Sequence, residues 1–168
     1  DVTYIKGRSE IVTLVSARLD QHFGNIVKDI DRTMLGYDFL KRMNKITEDQ
    51  PEPAYFDITK QVLAGLDDKQ IEAQLVELWF SMQLLKVGGH MPNLRTSTDS
   101  ELLITNKMYE FDFDTMSFRV RPEGLFGSNH IKLLRLVSSQ PVERLKNVQG
   151  IDLRVITSNQ QLVKQMAT

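Results

Sequence analysis

Hydrophobic positions concentrate in residues 69–94. Ile71, Ala73, Leu75, Val76, Leu78, Trp79, Phe80, Met82, Leu84, Leu85 and Val87 cover nearly every side of a helix. A helix apolar all round is one buried on all sides. Glu72, Gln74, Glu77, Gln83 and Lys86 interrupt the run, so it is too polar for a membrane span of about 20 apolar residues. Asp67 followed by Gln70 fits a capping box at the start. Gly88 and Gly89 supply left-handed stop positions at the end. The pattern predicts a central helix around which the others pack.

The flanking patterns fill in the rest. Residues 1–5 and 11–15 are β-branched and aromatic, with a turn at 6–9 between them. Two strands alone are marginal in water, so residues 1–23 read as the end of a β domain whose earlier strands are absent. The chain starts at Asp1, not Met, which fits a missing or processed natural start. Asn25 is the expected cap of a helix over 25–46, with Ile26, Ile30, Met34, Leu35, Tyr37, Phe39, Leu40 and Met43 as its apolar stripe. Pro51 and Pro53 break that helix. A second helix is predicted over 54–66, facing inward through Phe56, Ile58, Val62, Leu63 and Leu66.

Beyond residue 94 the period changes. Residues 95–100 read as a polar loop, and 102–104, 107–113 and 116–120 as short strands. Tyr109, Phe111, Phe113 and Phe118 alternate with polar neighbours at period two. Ser128 is the expected cap of a helix over 131–137. Pro141 opens another over 142–148, Gly150 ends it, and a last helix spans 153–166. The expected fold is mainly α: a helical bundle around one buried central helix with a small β-hairpin insertion at about 101–121. The expected domains are 1–23 and 24–168.

Composition removes several chemistries. The 168 residues hold no cysteine, which excludes disulfides, thiol catalysis and cysteine zinc sites. His22, His90 and His130 lack ligand spacing, so no metal or other cofactor is expected. Asp112 and Asp114 share a strand face, and a metal-dependent hydrolase built on them is the remotest reading. No glycine-rich phosphate loop or nucleophile elbow is present, and no enzyme is expected. A signal peptide and a transmembrane run are also absent from these residues.

Charge separates along the chain. Residues 1–46 carry eight Lys/Arg against six Asp/Glu, residues 47–114 five against thirteen, and residues 115–168 eight against three. The net charges are therefore +2, −8 and +5. Basic ends around an acidic middle suit a polyanion. The candidate DNA-binding residues are Lys6, Arg8, Arg18, Arg119, Arg121, Lys132, Arg135, Arg144 and Lys146. Such cations neutralise phosphates without reading sequence; Phe118 beside Arg119 reads as a core residue, with stacking on a base as the alternative.

The order of these elements resembles the RecO family of bacterial recombination mediators. The helix through Asp29, Arg32, Leu35, Gly36, Tyr37 and Phe39 is followed by the acidic break at 48–53. The central helix carries Leu78, Trp79, Phe80, Leu84 and Leu85, and ends in Gly89, His90, Met91, Pro92, Asn93 and Leu94. That phrase is similar to the Gly-x-x-Pro-x-Leu-like ending typical of the family. The resemblance implies that residues 1–15 are closing strands of an OB-fold barrel. It also implies a cytoplasmic protein that binds single- and double-stranded DNA and promotes strand annealing. With RecR, such a protein helps load the RecA recombinase onto strands coated by single-strand-binding protein. Many members bind zinc through cysteines after the Pro-x-Leu phrase, where this chain has only residues 95–100. Apolar packing must hold the hairpin instead. The competing expectation is a helical interaction or scaffold subunit that binds protein alone.

Overall fold

Asp29 starts the first long helix. Its carboxylate accepts from the backbone N–H groups of Asp31 and Arg32 at 3.0 and 3.1 Å, satisfying two of the amides left open at a helix start. Helix α1 then spans Ile30–Thr47 in a computed structural model that describes residues 2–7, 11–48, 53–148 and 150–167. Asn25, the expected cap, precedes a 3-10 turn Ile26–Lys28 and makes no side-chain cap bond. Its N–H and that of Ile26 donate to the Asp67 carboxylate at 2.6 and 3.1 Å.

Asp67 therefore does not cap the central helix. It ends α2, Pro53–Asp67, and its charge is used on the distant 3-10 turn. Helix α2 buries Tyr55, Ile58, Val62, Gly65 and Leu66. Phe56, expected inside, is 71 % exposed, and Tyr55 takes the inward position. The stripe expected on α1 also divides. Arg32, Gly36, Phe39 and Met43 face inward, while Ile30, Met34 and Tyr37 lie on the outer face.

Helix α3 spans Ala73–Val87 and starts four residues later than expected. The Asp68 carboxylate accepts from Gln70 N–H, and its carbonyl from Ile71 N–H, so residues 68–71 form a turn. Leu75, Val76, Leu78, Trp79, Phe80, Met82 and Leu85 are buried, each contributing about 1.5–3 kcal/mol. The helix packs against α1 and α2 and against the helical segments near the carboxyl end of the chain. At its end Gly89 takes φ +74° while Gly88 stays right-handed. His90 N–H then reaches Leu85 O at 2.8 Å and Gly89 N–H reaches Lys86 O at 3.2 Å, the paired bonds of a Schellman ending.

A three-stranded sheet follows, built from β3 Asn93–Ser97, β4 Tyr109–Asp112 and β5 Ser117–Val120 in the order β3-β5-β4. Strand β3 runs parallel to β5 and β4 antiparallel. Residues 95–97, expected as loop, are strand. The strand expected over 102–104 reduces to an isolated bridge between Thr96 and Leu102. Tyr109, Phe111, Phe118 and Phe126 are buried and meet edge-to-face, with centroids 5.0–6.3 Å apart.

Helix α4 spans Ser128–Ser139; Gly127, not Ser128, is its cap position. His130 Nδ1 accepts from Gly127 N–H at 3.2 Å. The segment Val142–Asn147 is 3-10, not α. It lies so close to α2 that a β-carbon on Gly65 would overlap Val142 Cγ2. Helix α5, Leu153–Met166, is capped by Asp152, which accepts from Arg154 N–H at 2.9 Å. Strands β1 Val2–Lys6 and β2 Val12–Ala17 pair as an antiparallel hairpin, and every residue in both is exposed. Among the described residues no helix is long and apolar enough to cross a membrane.

Candidate nucleic-acid interface

Helix periodicity assembles the basic site. Lys132, Arg135, Leu136 and Ser139 stand at i, i+3, i+4 and i+7, one face of α4. The 3-10 segment brings Arg144, Asn147 and Val148 opposite them. Together with Gln140 these residues line an open groove of about 470 Å³. Leu136 and Val148 are partly buried against the core and give the groove an apolar floor. Arg135 Nε donates to Leu94 O at 2.8 Å, which orients its guanidinium. Among the described residues none of Lys132, Arg135 and Arg144 forms an ion pair.

The end of α4 is held from beneath. Gln83 Nε2 donates to Val137 O at 2.7 Å, Lys86 Nζ to Ser138 O at 3.4 Å and Trp79 Nε1 to Gln140 O at 2.8 Å. Three side chains of α3 thus satisfy carbonyls that a helix end leaves open. The partial negative charge of that end is met by these α3 donors, of which Lys86 is the exposed cation.

The other expected DNA contacts are placed differently. Arg119 pairs with Asp112, and Arg121 with Glu110 at 2.5 Å. In the β4–β5 register Glu110 lies opposite Arg119 and Asp112 opposite Ser117, so these are diagonal cross-strand pairs. The hairpin surface is charge-balanced. Phe118 is fully buried, as its reading as a core residue expected, and offers no ring to a base. Lys146 lines an adjoining cavity of about 740 Å³ with Gln70, Glu72 and the start of α5; this cavity shares Asn147 and Val148 with the groove. Lys6 and Arg18 sit at opposite ends of the β1–β2 hairpin, since Lys6 pairs with Val12 and Val2 with Ala17. Arg8 lies outside the described residues. Of the nine candidates, the fold gathers Lys132, Arg135 and Arg144.

Sequence reading missed the groove's polar walls and apolar floor. The i, i+3, i+4, i+7 spacing from Lys132 to Ser139 was the available signal. No comparable signal marks Asn147 or Val148.

Other titratable groups are held by local structure. The Thr115 backbone N–H, then Arg119, keeps the Asp112 carboxyl below its ordinary range, against an opposing effect of burial. Its two oxygens are engaged by Asp114 N–H, Thr115 N–H and Arg119. Burial raises Glu77, opposed by the Arg42 charge, and burial lowers His130. Among the described residues no cluster of three or more His, Cys, Asp or Glu can hold a metal ion.

A family model described as Recombination protein O C terminal matches residues 29–152. The chain belongs to this family. The matched stretch of the RecO C-terminal family runs from the α1 cap to the α5 cap and includes the whole basic groove. Membership gives the chain a role in recombinational repair, with DNA and repair proteins as its partners in broad terms. The helical fold described above fits that family. No curated protein and no solved structure matches the chain significantly.

Proposed function

We propose that the chain acts without catalysis as a DNA-binding recombination mediator, in the cytoplasm. In this reading it binds single- and double-stranded DNA, promotes strand annealing and helps load RecA onto strands coated by single-strand-binding protein, with RecR as a partner. The groove formed by Lys132, Arg135 and Arg144 within the RecO-matched region carries the reading. Three cations with no carboxylate partner among the described residues hold phosphates through charge and leave base sequence unread. The apolar floor of Leu136 and Val148 also suits an acidic, hydrophobic tail of the coating protein. Strands β1 and β2 fit the closing strands of an OB-type barrel, with residues 1–23 and 24–168 as the two domains.

The test is DNA affinity of the 168-residue chain across a salt series, on single strands and duplex. Binding is expected to weaken steeply with salt. Reversing Lys132, Arg135 and Arg144 to Glu is expected to shallow the duplex slope by about 0.9 per lost phosphate contact. Absence of DNA binding at low salt, together with a stable protein partner, would support a scaffold subunit instead.

A further inference from the structure

Helix α1 carries a second apolar face, and among the described residues it is exposed. Ile30, Met34 and Tyr37 are 73, 63 and 69 % exposed. Their i, i+4, i+7 spacing places them in one row. Lys41 continues that row, Lys45 lies one turn further on, and Asp31 flanks its start. Among the described residues Asp31, Lys41 and Lys45 form no ion pair, and all three are exposed.

The row is graded: acid at the amino end, apolar residues in the middle, bases at the carboxyl end. A surface with that order is complementary to itself when turned end for end. We propose that α1 is the contact surface for a second copy of this chain, packed antiparallel across a two-fold axis at Tyr37. Tyr37 then meets its own symmetry mate, and Met34 lies between Tyr37 and Lys41 of the other copy. Asp31 comes between Lys41 and Lys45 of the other copy, and the same pairing repeats by symmetry. Asp38 also nears its mate, but each is already paired with its own Arg42 at 3.7 Å. Antiparallel helix dipoles add to the match. A parallel arrangement would set lysine against lysine.

The contact is small. The row from Ile30 to Lys41 is about 17 Å long at 1.5 Å per residue, which places the interface among weak, reversible ones. The dimer is expected to dissociate in the micromolar range and to weaken with salt.

Sedimentation equilibrium of the full chain over a concentration series tests this. Wild type is expected to show a monomer–dimer equilibrium. Tyr37→Asp is expected to give monomer. Lys41→Glu with Lys45→Glu is expected to weaken the dimer about tenfold or more, since each surface pair is worth a factor of about 1.5 to 5 and occurs twice. Adding Asp31→Lys to that pair reverses the gradient, and dimerisation is expected to return. All these residues are exposed, and circular dichroism establishes that each variant is folded. A wild type that stays monomeric at every concentration overturns the proposal. So does a dimer indifferent to Tyr37→Asp, which would place association elsewhere, or a charge-swapped variant that fails to recover.

Discussion

Trp79 Nε1 donates to the backbone carbonyl of Gln140 at 2.8 Å, linking α3 to the wall of the basic groove. The indole is 2 % exposed and uses its single donor there. Trp79→Phe keeps an aromatic ring in the core but removes the donor. The expected cost is about 1–3 kcal/mol, read as a lower urea midpoint with little change in slope. DNA affinity should fall modestly with it, because Gln140 lines the groove.

Arg32 is the second cross-link. It is 8 % exposed and donates to Leu66 O at 2.7 Å, Asp68 O at 3.2 Å and Ile71 O at 2.7 Å. One guanidinium thus closes the end of α2 and the turn into α3. Arg32→Lys presents one ammonium where two separate nitrogens are needed. A loss of about 2–4 kcal/mol is expected, with faster amide exchange concentrated at residues 66–73.

The groove and the hairpin should respond differently to charge removal. Arg144→Ala or Lys132→Ala removes a cation with no carboxylate partner among the described residues, and DNA binding is expected to weaken severalfold at low salt. Arg119→Ala or Arg121→Ala breaks an exposed pair of small net worth, and affinity should change by less than about twofold. Fluorescence anisotropy on one labelled strand measures all four. Equal losses at every position would argue against the groove.

Acid should act on α4 through His130. Its Nδ1 accepts from Gly127 N–H, so the neutral ring is the one that fits, and burial lowers its pKa below the ordinary 6.5. The folded state therefore binds the proton less readily than the unfolded state. His130's contribution is complete above pH 6.5 and is lost as pH falls through the folded pKa. His130→Gln retains an acceptor at the capping position and should flatten that part of the stability–pH curve. Glu77 works in a different window and with the opposite sign. Its folded pKa is raised by burial, so its relative stabilisation is complete below 4.5 and lost as pH rises through the folded value.

Aromatic packing, with no metal, is expected to hold the small sheet. Phe118 touches Tyr109, Phe111 and Phe126. Phe118→Ala should cost about 3–5 kcal/mol. Addition of a strong chelator should leave the melting temperature of the wild-type chain unchanged.

What the sequence disclosed depended on the range of the interaction. The dense apolar run from Leu75 to Leu85 is a local property, and its apolar side chains are buried except for the partly buried Leu84. The bases on one face of α4 were readable from helix spacing. Capping was misread because Asp67 gives its carboxylate to Asn25 and Ile26, far along the chain. Residues 95–97 became strand because their partner is β5, beyond β4 in sequence. Arg119 and Arg121 resembled free cations until the β4–β5 register placed Asp112 and Glu110 beside them. The α1 stripe joined two opposite faces, since a hydrophobic list does not say which face meets the core.

Gly65 extends the reach of the groove beyond its own walls. The 3-10 segment carrying Arg144 rests against α2 at a spacing that leaves no room for a methyl group. Gly65→Ala would therefore move a cation on the surface by acting from the buried side of a different helix. A genetic screen for lost DNA binding would recover changes at residue 65 alongside those at Arg144, although residue 65 itself would never touch the nucleic acid.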